Sequence, residues 1–223
     1  MNFLKLPLLS KRTRAMRRVF SSIHATHAWG SSESTSGPGS TRERAASFLS
    51  DLIALVQSLH VETLLDAPCG DFNWIAPLAD SVDRYIGVDV VPALVAVNRE
   101  RCSSSRRLFL CRDICHQRLP AADLVLCRDA LVHLSERDIF AALANLRRTN
   151  AEYLVTTTFV AVRENIDINT GGWRPLNMQG LPFGFPPPLK LIDERCHHSN
   201  GIYSDKRLAL WRFNDLPRLG PAA

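Results

Sequence analysis

The sequence is short of several things whose absence narrows the reading. No run approaches the ~18 consecutive apolar residues of a membrane-spanning helix. There is no G-x-G-x-x-G and no lysine following a glycine-rich loop, so a loop built to cradle phosphates is missing. The cysteines Cys69, Cys102, Cys111, Cys115, Cys127 and Cys196 are scattered, with no two short-spaced pairs to make up a zinc set. Neither Cys111-x3-Cys115-His116 nor Cys196-His197-His198 resembles a structural zinc set, which argues against a metal. A secretory apolar core is also lacking, so reduced thiols in a reducing, cytoplasmic compartment are expected. No acid precedes Glu33.

What is present fits one soluble globular domain: 223 residues, 46% hydrophobic and 22% charged. The formal charge is +5. Six positive charges, on Lys5, Lys11, Arg12, Arg14, Arg17 and Arg18, precede Glu33, so the remainder nets to −1. The basicity belongs to an N-terminal arm, residues 1–19. It reads as a frayed helix, an organellar targeting peptide, or a segment that touches anionic lipid or nucleic acid. The domain proper is expected over 20–214, with a lid and helix in 20–60, and 215–223 as a disordered tail.

Ser31 to Ser40 is loop chemistry, and Ser40 or Thr41 is placed to cap the helix whose apolar residues run from Ala45 to Val56. Strands are expected at 62–66, 85–90, 107–112, 122–127 and 153–159, alternating with helices at 74–79, 92–102 and 135–149. That rhythm predicts an α/β fold with a doubly wound, mostly parallel sheet. It breaks at 163–188, a long loop rich in aromatics, proline and glycine, of the kind that covers a binding site. Segments 189–192 and 208–213 then read as a closing hairpin on one edge.

The most informative stretch runs from Thr63 to Trp74, where an apolar strand enters Asp66-Ala67-Pro68-Cys69-Gly70-Asp71 just before a helix. Gly70 permits close backbone approach to a ligand, and Asp89 closes the next strand about 20 residues on, where ribose-binding acids stand. Carboxylates in place of phosphate-binding groups point to an adenosine-bearing ligand without a dinucleotide's phosphates. Asp66 also has an ordinary alternative as a turn cap.

These residues resemble the class I S-adenosylmethionine-dependent methyltransferases. Asp66 to Asp71 matches the family's first motif, with Pro68 where glycine is usual; Asp89 matches its ribose-binding acid, and Asp113-Ile114 its adenine contact. Asp123 to Leu134 corresponds to the fourth motif. A group of small bacterial methyltransferases is similar also in Trp29-Gly30, Glu33-Ser34, Ser36-Gly37, Gly39-Ser40 and the run from Asn169 to Asn177. The resemblance implies a seven-stranded sheet with helices on both faces and the last strand antiparallel. It implies S-adenosylmethionine held by Trp29, Asp66, Ala67, Pro68, Cys69, Gly70, Asp71, Asp89, Val90, Asp113, Ile114 and Arg128.

His133, six residues past the fourth strand, is placed to accept a proton from an oxygen or nitrogen nucleophile, its ordinary pKa of ~6.5 suiting a base near neutrality. Packing against the following helix is its alternative. Asp129 is a second candidate base or a partner for the cofactor's amino group; Arg128 could anchor an acidic substrate or steady its loop. Asn169, Trp173, Arg174 and Asn177 are expected over the substrate. The resulting expectation is O- or N-methylation of a small molecule, with an RNA or protein methyltransferase using the basic arm, or a silent cofactor-binding module, as rivals.

Overall fold

The computed structural model describes residues 9–196 and 201–218. Seven strands, β1 (Thr63–Asp66), β2 (Arg84–Asp89), β3 (Arg107–Cys111), β4 (Leu124–Cys127), β5 (Tyr153–Phe159), β6 (Lys190–Asp193) and β7 (Lys206–Arg212), form one sheet. Their order is β3-β2-β1-β4-β5-β7-β6. The first five run parallel, and β7 lies antiparallel between β5 and β6. The expected closing hairpin is therefore present, with its second strand on the inside. Among the described residues five α-helices accompany the sheet: α1 (Lys11–Ala25), α2 (Arg42–Ser58), α3 (Ala76–Asp80), α4 (Pro92–Cys102) and α5 (Glu136–Arg147).

Both faces of the sheet are covered, which is why its strands read as nearly continuous apolar runs rather than alternating ones. Leu64, Leu124, Leu126, Val155, Leu208 and Leu210 face Phe48 and Leu52 of α2, Leu78 of α3 and Val95 of α4. Their sequence neighbours Leu65, Val125, Cys127, Leu154, Ala209 and Trp211 face the other way, toward Ile139, Leu143 and Leu146 of α5. Each such side chain contributes about 1.5–3 kcal/mol when fully buried. Much of the second face is covered by the long loop instead of a helix. Its Leu176, Met178, Phe183 and Phe185 are buried, and the Phe185 ring meets Trp211 edge-on at 5.1 Å. The prolines and glycines that forbid a helix there leave these side chains free to pack on the sheet.

The helix starts follow from their residues. Ser10 accepts from the Thr13 amide at 3.0 Å and Ser135 from that of Asp138 at 3.3 Å, while Pro92 opens α4, where a missing N–H costs nothing. For α2 the cap differs from expectation. Thr41 turns its hydroxyl to the Pro38 carbonyl, and Glu33 reaches in from the loop to accept the Arg42 amide at 2.8 Å. That bond to the helix's positive end holds the Glu33 carboxyl below its usual range.

Two expected boundaries differ from the structure. Residue 20 falls inside α1, whose Met16 is in the core, so the arm and the domain share one helix. Past Asn214, Leu216 is buried and Arg147 donates to the carbonyls of Phe213, Leu216 and Pro217, so the tail is packed at least to residue 217. The arm's first eight residues, tail residues 219–223, and His197 and His198 lie outside the described residues.

Candidate active site

The order of the sheet decides where a site forms. The chain runs outward through β1, β2 and β3, then returns to β4 beside β1, and the reversal opens a crevice at the strands' carboxyl ends. Register places Asp66 beside Gly87 and Leu126, and Asp89 beside Cys111. Asp66, Asp89 and Asp113 thus come to successive strand ends. They line a cavity of about 990 Å³, its open mouth included, together with Trp29, Pro68, Cys69, Gly70, Val90, Ile114, Arg128, Asp129 and His133.

The first loop is built for close approach. The Ala67–Pro68 peptide is cis, and Gly70 sits at φ 54°, where a side chain would also collide with Ser36 Oγ. Asp89 accepts from the amides of Gly70 at 3.3 Å and Val91 at 2.9 Å, which fixes its carboxylate toward the cavity floor. Burial nevertheless pushes its pKa up to about 6. Asp66 is raised further, to about 7, again by burial and against the bond it accepts from the Tyr85 hydroxyl at 2.6 Å. Asp113 accepts from the Cys115 amide through Oδ1 at 2.8 Å, while its buried Oδ2 has no partner among the described residues. An orphaned carboxylate oxygen at a strand end, beside a ribose-type acid, suits an amine donor such as the adenine 6-amino group. These groups fit S-adenosylmethionine.

Two residues expected on the cofactor are turned elsewhere. Ala67 is fully buried in the core. Asp71 accepts from the Ser34 hydroxyl at 2.9 Å and the Thr35 amide at 2.7 Å, while its own amide donates to Ser36 Oγ at 3.0 Å. Asp71 therefore staples the N-terminal loop over the Gly70 turn and does not line the cavity. Asn73 adds bonds to Glu33 and the Ser40 carbonyl.

Asp129 takes φ 52°, a left-handed conformation that aspartate tolerates better than most residues, with its amide donating to Thr157 Oγ1 at 2.9 Å. Lys206 Nζ lies 2.6 Å from its Oδ2 and Arg128 3.3 Å away. These cations outweigh burial and hold its carboxyl well below the usual range, so Asp129 is a counter-ion and too weak a base to take a proton near neutrality. Arg128 is buried over the rings of Phe48 and Trp74, at 4.7 and 5.1 Å from their centroids, the two rings meeting edge-on at 5.4 Å, and it bonds Glu194 through Nε and Nη2. Its Nη2 also donates to the Gly39 carbonyl at 2.9 Å. It ties the N-terminal loop to the end of β6.

His133 ends a turn of 3-10 helix, Leu131–His133. Its Nδ1 lies 2.8 Å from the Gly172 carbonyl, which can only accept, so the neutral ring carries its hydrogen there and keeps the Nε2 lone pair free. Burial lowers its pKa below the ordinary value, despite the Gly172 bond. Its ring packs on Trp29 at 4.8 Å.

His133, Trp29, Ser36, Arg128 and Asp129 also line a second cavity of about 960 Å³, open mouth included, with Phe159, Trp173, Tyr203, Arg44, Glu194 and Lys206 among its other walls. Of the residues expected over a substrate only Trp173 is there. Arg174 is buried, donating to the carbonyls of Ile166 and Leu131. Asn177 bonds Val162 and Gln179 backbone, and Asn169 accepts the Gly172 amide and faces a separate groove with Arg12 and Arg137. These three shape the loop. Sequence reasoning missed Glu194 and Lys206, which carry no motif: they are buried charges at the end of β6 and the start of β7, brought to Arg128 and Asp129 by strand order alone. Among the described residues no group of three or more His, Cys, Asp or Glu is placed to hold a metal ion, and no helix is long and apolar enough to cross a membrane.

The sequence model of a family described as "Methyltransferase domain" matches residues 64–152. Comparison with curated proteins finds no match. Among solved structures, the cyclase SpnF superposes with a TM-score of 0.57 at 18% identity, covering 89% of this chain and 94% of that one. The N-methyltransferase NodS from Bradyrhizobium japonicum gives 0.52 at 16%, covering 74% and 96%. Phosphoethanolamine N-methyltransferase 1 of Haemonchus contortus, solved with phosphoethanolamine and S-adenosylhomocysteine, gives 0.52 at 16%, covering 72% and 36%. Against the methyltransferase domain of bacterial CtHen1 the chain spans 64% of that domain's length. At these identities the neighbours speak for the fold alone, and the methyltransferase-domain match covers the segment from β1 to the end of the β4–β5 connection, the one that carries Asp66, Asp89 and Asp113 at three successive strand ends.

Proposed function

We propose that the protein transfers a methyl group from S-adenosylmethionine to oxygen or nitrogen of a small molecule, with Asp66, Asp89 and Asp113 on the cofactor and His133 as the base. The observation that carries this reading is the pair of cavities sharing His133 and Trp29. One is lined by the acids suited to an adenosine ligand. The other, roofed by the N-terminal loop, is walled by Phe159, Trp173 and Tyr203.

The cofactor supplies an electrophilic methyl on a sulfonium. Bound there, it would offer that methyl to the nucleophile's lone pair and keep the carbon–sulfur pair as its charge is cancelled. What the protein does is align and exclude water. Trp29 and the Ser36–Ser40 turn close the site, and His133 Nε2 accepts the nucleophile's proton. Its lowered pKa keeps it neutral, and so able to do this, at pH 7.

Isothermal titration with S-adenosylhomocysteine, followed by labelled S-adenosylmethionine with a metabolite extract, tests the reading. Absence of binding would sink it. With an acceptor in hand, His133→Gln should lower kcat by about 10²–10⁴ with little change in S-adenosylhomocysteine affinity; unchanged kcat would make His133 a packing residue.

Affinity for S-adenosylhomocysteine should rise with pH between 5.5 and 7.5. In the free protein Asp89 and Asp66 titrate near 6 and 7. A ribose diol and an ammonium prefer both ionised, so acid competes with the ligand by up to about tenfold per pH unit and group. The unliganded fold carries the opposite sign: its pKa values are raised above unfolded ones, so that stability is full at low pH and lost as pH rises through 6–7. A flat titration would remove these carboxylates from the ligand.

A cytoplasmic location belongs to the same proposal, supported by six free cysteines. A nucleic-acid acceptor rests on exposed Lys11, Arg12, Arg14 and Arg18 of α1 and ranks second.

A further inference from the structure

The second cavity has a definite chemistry. On one side Phe159, Trp173 and Tyr203 meet edge-on, with centroids 6.1, 6.0 and 5.1 Å apart, forming an apolar wall on which Trp173 remains 44% exposed. Trp29, packed on His133, supplies another aromatic surface. A planar ring gains both burial and stacking between such surfaces.

The charges sort themselves. Asp129 is paired with Lys206 and Arg128, and Glu194 with the same two cations at 3.1 and 2.6 Å. These four groups cancel. Arg44, half-buried on α2 at the cavity edge, forms no ion pair and donates no hydrogen bond among the described residues, so its guanidinium is the uncompensated charge of the cavity. A planar fork of donors with no internal partner suits a carboxylate. Glu194 Oε1 is buried without a partner among the described residues. The hydroxyl or amino group is called for by His133, which lines the same cavity.

Resting on the methyltransferase reading above, we infer that the acceptor is a small aromatic acid bearing a ring hydroxyl or amino group: its ring lies against Trp173, its carboxylate at Arg44, and its nucleophile toward His133. The chemistry balances without any further reactant. The hydroxyl or amino lone pair takes the methyl, the cleaved carbon–sulfur pair stays on sulfur, and the released proton goes to His133.

The test offers hydroxybenzoates and aminobenzoates, and the matching benzamides, to protein saturated with S-adenosylhomocysteine, with dissociation constants from calorimetry. The acids should bind about tenfold or more tightly than their amides, the margin of a charge-assisted contact. Arg44→Gln should erase that difference, and Trp173→Ala should weaken acids and amides alike. Amides binding as well as acids, acids unaffected by Arg44→Gln, or no benzoate binding to the loaded protein would each overturn the inference while leaving the methyltransferase reading in place. Failure to bind S-adenosylhomocysteine in the first step would instead bring down that reading, and this one with it.

Discussion

Replacing Asp89 by alanine should abolish the rise in melting temperature that S-adenosylhomocysteine gives the wild-type protein, with affinity falling on the order of a hundredfold or more. Two charge-assisted bonds from a ribose diol, at about 1.5–3 kcal/mol each, account for that loss. Asp89 sits 7% exposed at the end of β2, its geometry set by the Gly70 and Val91 amides. Because alanine also strips those two amides of their acceptors, Asp89→Asn provides the control: its one oxygen keeps the shorter Val91 bond, the longer Gly70 bond is given up, and the charge is lost. Asparagine should hold the unliganded melting temperature near wild type and still bind at least tenfold more weakly, the lower end for one charged bond. Wild-type affinity in both variants would place the ribose elsewhere.

The second large effect is on stability. Arg128→Met should cost about 3–5 kcal/mol, because a buried ion pair that loses one partner leaves the other charge uncompensated. For a domain of this size that is a fall of roughly 10 °C in Tm. Arg128 packs over both Phe48 and Trp74, answers Glu194 and holds the Gly39 carbonyl. Methionine retains the packing but not the charge. The double variant Arg128→Met, Glu194→Met should recover a large part of the loss, since replacing both ions with apolar groups of similar shape is often neutral. If the single variant melts within 2 °C of wild type, Lys206 alone suffices for Glu194, and the Arg128 pair contributes little.

These outcomes separate two jobs that stand next to each other in the chain. Asp129 and Arg128 follow β4, where the family resemblance expects ligand contacts, and both do line the cavity. Yet their charges are spent on Lys206 and Glu194, and their effect is on the shape of the site. Asp71 is a similar case, a loop acid whose hydrogen bonds go to Ser34 and Thr35. His133 gains from this arrangement, since the Gly172 carbonyl sets its tautomer and Trp29 its ring plane.

Local order determined a good deal by itself. Apolar runs of four to seven residues, Pro92 at a helix start, Ser135 before Glu136, and acids at strand ends report on interactions within a few residues, and these placed the strands, most helices and the Asp66, Asp89 and Asp113 set. Only the tertiary structure decided the rest. Strand β7 slides between β5 and β6 and so carries Lys206 beside Asp129, 77 residues away in sequence. Glu33, nine residues before Arg42 at the start of α2, displaces Thr41 as its cap because the loop folds back over Asn73. Phe183 and Phe185 go to the core, Trp173 to the cavity, although all three lie in one loop of the same composition. The physical reason is common to them. A buried charge or ring is placed by what neutralises or covers it, and that partner is chosen by sheet order and long-range packing, which no short window of sequence contains.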